Sequence, residues 1–101
     1  MEIVMEDTMQ TQMTMGERLT RYEIAQETIG FMMAIRTDLI YKEKDKTTPD
    51  AEKIAQWEAE FKQFADELHY LHLDDEIEIQ RVLDEYCPIV KADYEGRRAA
   101  A

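Results

Sequence analysis

The chain has 101 residues and a formal charge of −11, from 23 acidic and 12 basic side chains. The acid excess argues against a phosphate-binding surface, which needs clustered Lys and Arg to release counterions, and against anionic membranes. Direct nucleic-acid and membrane binding are therefore not expected, whereas a basic protein partner is compatible with the charge.

The length fits one domain with a modest core. Apolar residues make up 45% of the chain, with only three Gly and two Pro. Glu, Gln, Lys, Ala, Met and Leu favour helix, so the expected fold class is all-α. A single cysteine, Cys87, excludes an intramolecular disulfide and fits a reducing compartment. Residues 1–15 carry no basic side chain and do not read as a secretory signal. No apolar run approaches the ~20 residues of a membrane span. The expected location is cytoplasmic.

Residues 1–15 contain Met1, Met5, Met9, Met13 and Met15 separated by polar filler. They are expected to be a flexible N-terminal segment, an over-extended start to a domain covering 16–95. An amphipathic arm is the alternative, since four-residue methionine spacing aligns on one helix face. A first helix is predicted from about Gly16 to Lys44, with Thr14 as its N-cap. Its seam is Leu19, Tyr22, Ala25, Ile29, Met32, Leu39 and Ile40. The stretch Ile29 to Ile35 is apolar on every side, which predicts cover from more than one direction. Gly30 within it marks a close helix approach or a kink. Phe31, Met33 and Ile35 are the candidates for self-association.

The segment from Lys44 to Asp50 punctuates the pattern. Thr48 is expected to cap a second helix, with Pro49 at its first position. In that helix Ile54, Trp57, Phe61, Phe64, Leu68 and Leu71 recur at heptad spacing, the seam of a helix packed lengthwise on another. The short connection makes helices one and two an antiparallel hairpin. Glu60 and Glu67 flank the seam, where they disfavour parallel self-pairing and suit a helix offering bases, such as Arg21 and Arg36.

Asp74 or Asp75 can cap a third helix carrying Ile77, Ile79, Val82, Leu83 and Tyr86. Pro88 is expected to end or kink it, and residues 96–101 to fray. The predicted architecture is a small helical bundle: an antiparallel hairpin with a third helix folded back on it.

Charge is uneven. Residues 16–45 hold six acids against five bases, and residues 50–86 twelve against three. Glu58, Glu60, Asp66, Glu67, Asp74, Asp75, Glu76 and Glu78 form the candidate docking face for a basic protein, where complementary potential raises on-rate and specificity. The competing reading of these acids is a solvated surface.

Two further constellations bear on chemistry. Asp66-x-x-His69-x-x-His72 holds one carboxylate–histidine pair at i, i+3, half of what a dimetal helix bundle needs. Cys87-Pro88 offers a thiolate that can ligate haem, with a histidine opposite. Neither pattern is complete, and no metal or cofactor is expected. No glycine-rich phosphate loop, G-x-S-x-G or H-E-x-x-H is present. The sequence therefore points to a non-enzymatic interaction protein that inhibits or chaperones a basic partner, in the manner of antitoxins, immunity proteins or phage inhibitors. The alternatives are a self-associating homodimeric subunit and a metal- or haem-binding helical protein.

Overall fold

The computed structural model describes residues 13–100; the methionine-rich stretch 1–12 and Ala101 lie outside the described residues. Within them the chain forms three helices and no strand: α1 (Met15–Lys44), α2 (Ala51–Tyr70) and α3 (Glu76–Ala100). α1 packs against both α2 and α3, giving the expected all-α bundle.

Each helix start has a local cause. At α1 the Glu17 N–H donates to Thr14 Oγ1 (3.0 Å) and the Thr14 N–H donates to the Glu17 carboxylate (2.8 Å), a reciprocal capping box. α2 is capped by Asp50 instead of Thr48. The Asp50 carboxylate accepts from the N–H groups of Glu52 and Lys53, and its own N–H donates to Glu43 Oε2 at 2.9 Å. Glu43 is buried and also pairs with Lys46, so it staples the whole turn. Pro49 consequently lies outside the helix. α2 ends at Tyr70, with Leu71 as its C-cap. The Asp75 carboxylate accepts from the Glu78 N–H at the start of α3.

Two readings are corrected, an end of α3 at Pro88 and a close helix approach at Gly30. α3 runs unbroken through Pro88 and Gly96 to Ala100. A proline removes one i→i−4 bond, and here the orphaned Asp84 carbonyl belongs to an exposed face that water can satisfy. The following turns are held to α1 by Val90 and by an Arg97–Asp38 bond of 3.1 Å. Gly30 permits no close approach either, because a Cβ there would meet nothing within 4 Å.

α2 runs antiparallel to α1: Arg36 bonds Glu60 (2.8 Å), and the Tyr22 hydroxyl donates to the Leu71 carbonyl (3.3 Å). α3 runs parallel to α1. Three bonds show this register, Arg21–Gln80, Thr28–Cys87 and Asp38–Arg97, each linking residues 59 apart in sequence. α2 and α3 touch through side chains only, chiefly Phe64 edge-on to Tyr86 with centroids 5.4 Å apart.

The core sits where all three helices converge. Ala25, Ile29, Met32, Phe64, Leu71, Ile79 and Val82 are buried there. Full burial of each large side chain contributes about 1.5–3 kcal/mol. Toward the α1–α2 turn Ile54, Trp57 and Phe61 of the heptad seam are half-buried. The apolar run Ile29 to Ile35 is covered on two sides, by α2 and α3. Phe31 and Ala34 are left exposed on the third.

Candidate functional site

The eight acids of the predicted docking face divide into two sets. Glu58, Glu60, Asp74 and Glu76 turn toward α1. Glu60 bonds Arg36, Glu58 reaches Lys44 at 4.0 Å, Asp74 bonds Arg18 at 3.0 Å, and Glu76 lies between Arg18 and Arg21 at 3.5 Å from each. These carboxylates tie α2, the turn after it and the start of α3 to α1, Glu60 and Glu76 half-buried and Glu58 and Asp74 exposed. Arg36 and Gln56 hold the Glu60 carboxyl below its ordinary range, the Gln56 hydrogen bond being the stronger cause.

Asp66, Glu67, Asp75 and Glu78 gather elsewhere. With Gln63, Tyr70 and Leu71 they line a hollow of about 410 Å³ between the last turns of α2 and the first turns of α3. Among the described residues one base, Arg81, is bonded to this set. It donates to Glu67 (3.1 Å) and to Glu78, and also to Glu85 (2.9 Å) just outside the hollow. Its guanidinium also lies over the Tyr86 ring, 5.2 Å from the centroid. The Tyr86 hydroxyl donates to both Glu67 oxygens (2.8 and 3.0 Å), which fixes that carboxylate across the α2–α3 seam. Burial raises the Tyr86 pKa, and the hydrogen bond from Arg81 lowers that of Glu78.

Four carboxylates and one guanidinium leave the hollow strongly negative. Asp66 is exposed and makes no hydrogen bond or ion pair among the described residues. Tyr70, 70% exposed, forms the apolar part of the wall and stands edge-on to His69 at 4.8 Å. A carboxylate-lined hollow with an aromatic wall is suited to a lysine or arginine side chain, through ion pairing and cation–π attraction.

Sequence reasoning found the four carboxylates and missed the roles of Arg81 and Tyr86. The signal for Arg81 was its spacing, three residues after Glu78 and four before Glu85 on one helix face. The structure brings no metal constellation together: no group of three or more His, Cys, Asp or Glu is placed to hold an ion among the described residues. Cys87 lies within α3, half-buried, with its Sγ 3.5 Å from the Thr28 hydroxyl.

A second concavity lies on the far side of α1 from α2. The groove between α1 and α3 encloses about 600 Å³, with Thr28, Ile35, Cys87 and Val90 among its lining residues. Phe31 (55% exposed), Ile24 (43%) and Tyr94 (59%) also line it. Of the three self-association candidates, Phe31 and Ile35 line this groove, Ile35 also packing against the core, and Met33 packs against the core alone. No described helix is long and apolar enough to cross a membrane. Comparison with known proteins returned no matching family model, no similar curated protein and no similar solved structure.

Proposed function

We propose that this chain is a non-enzymatic interaction protein that binds a basic helical segment of another protein in the acidic hollow between α2 and α3. One observation carries the reading. Asp66, Glu67, Asp75 and Glu78 converge around Tyr70 with Arg81 as their only bonded base among the described residues, while the other acids of the row are matched to bases of α1. The chain's charge of −11 extends attraction beyond contact range and speeds encounter with a cation-rich surface. Inhibition or chaperoning of the partner follows from occupying its basic surface. The single cysteine is compatible with a cytoplasmic setting.

The test is a calorimetric titration with a lysine- and arginine-rich amphipathic helical peptide, at low and at high salt. Binding is expected to weaken steeply as salt rises. Asp66→Lys and Tyr70→Ala should each reduce affinity about tenfold or more, because both side chains face the peptide and neither holds the fold. Glu23→Lys, on α1, should change it little. Equal affinity for all four proteins, or for a non-amphipathic peptide of the same composition, would contradict the assignment.

A further inference from the structure

We infer that the α1/α3 groove is covered by a second copy of this chain, in a homodimer whose two-fold axis runs along the groove. The groove is a separate surface from the acidic hollow, and its chemistry is the reverse. Ile24, Phe31 and Tyr94 expose apolar surface in one strip, on a chain otherwise rich in charge. A contiguous apolar strip of this kind is the signature of a protein contact.

The edges of the groove identify the occupant. The α1 edge carries Glu27 and the α3 edge carries Lys91, both exposed and neither in an ion pair among the described residues. The other charges at the rim are already matched: Arg97 bonds both Asp38 and Asp93, and Asp38 also pairs with Lys42. The groove therefore presents one unmatched acid on one edge and one unmatched base on the other. A surface with that pattern is complementary to itself.

Symmetry then fixes the arrangement. α1 and α3 run parallel with a constant offset, so Lys91 lies level with Met32, five residues along from Glu27. That is about 7.5 Å of helix rise, within reach of two long side chains. A two-fold axis along the groove places the α1 edge of each copy over the α3 edge of the other. Glu27 then meets Lys91 of the second copy twice, once on each side, while Phe31 and Tyr94 close the centre. An axis across the groove would instead lay α1 on α1 and α3 on α3, leaving Glu27 and Lys91 on opposite edges. Isologous contacts of the first kind are the commonest way a small chain buries such a face.

Sedimentation equilibrium over micromolar to submillimolar protein tests this. The wild-type chain is expected to reach the mass of a dimer. Phe31→Asp should hold it at the mass of a monomer with unchanged helical circular dichroism, since Phe31 is exposed and outside the core. Glu27→Lys and Lys91→Glu should each weaken the dimer about tenfold, because the symmetric interface repeats every like-charge clash. Combined in one chain, the two swaps should restore most of the affinity. A wild-type monomer throughout the range would overturn the inference. So would a dimer indifferent to Phe31→Asp, or two charge swaps whose penalties add when combined.

Discussion

The acidic hollow and the α1/α3 groove are built on the same three-helix junction and differ in almost every physical respect. The hollow is lined by four carboxylates and holds one guanidinium. The groove is lined mainly by apolar side chains, and most of its rim charge is already matched. Attraction at the hollow acts at long range and fades with salt. Attraction at the groove acts on contact and does not. The contrast shows that net charge alone does not locate a binding surface. Glu58, Glu60, Asp74 and Glu76 contribute as much formal charge as the hollow acids, yet they serve the fold by clamping α2 and the α2–α3 turn to α1.

The contrast can be broken at its root. Ile29 is fully buried at the junction that both surfaces share. Ile29→Ala should cost about 2–5 kcal/mol in urea denaturation and weaken peptide binding and self-association together. A variant that lost only one of the two would show that the surfaces do not rest on a common scaffold.

Arg81→Ala separates them. It leaves Glu67, already pinned by Tyr86, without its cation, and should destabilise the fold by about 1–3 kcal/mol. In the folded fraction the hollow becomes more negative, so affinity for the basic peptide should rise while the dimer constant stays fixed. Calorimetry and sedimentation on the same preparation would read both.

Acid tests the carboxylates that hydrogen bonds and cations hold in the folded chain, Glu60 among the clamps and Glu78 in the hollow. Hydrogen bonds and nearby cations lower the carboxyl pKa of Glu43, Glu60, Glu78 and Asp38 in the folded state. Groups depressed on folding contribute stability that is fully present above their unfolded values and lost as pH falls through the folded ones. The melting temperature should therefore hold from neutral pH down to about 4.5, the ordinary glutamate value, and fall below it. A melting temperature that rose on acidification would contradict the stabilising role of these four carboxylates.

Gly30→Ala is the smallest expected change. A Cβ at Gly30 meets open space within an unbroken helix. The substitution should stabilise the chain by up to about 1 kcal/mol and leave both surfaces unaltered.

Much of the fold was legible from spacing and caps. The heptad seam of α2, the Thr14 cap and the antiparallel hairpin depend on residues close in sequence, and each is present. What local pattern did not reveal depends on contacts across the bundle. Asp50 displaced Thr48 as the α2 cap because the buried Glu43 carboxylate, seven residues earlier, receives its N–H. Pro88 lies within α3, whose later turns stay on α1 through Val90 and the bond between Arg97 and Asp38, 59 residues apart. Of the candidate site, the sign of the charge was readable, but the division between clamp and hollow was not. That division depends on which acids face Arg18, Arg21 and Arg36, and only packing decides it. For the same reason Phe31 and Met33, both in an all-round apolar run, ended on the groove and against the core respectively.

The central claim is that the hollow, and not the acidic row as a whole, receives the basic partner. It is tested most directly by amide chemical-shift mapping of the labelled chain during titration with the basic helical peptide. The account predicts shifts concentrated at Gln63, Asp66, Tyr70, Asp75 and Glu78, with Glu58 and Glu60 quiet. Shifts spread evenly along residues 50–86, or centred on Phe31 and Tyr94, would contradict it.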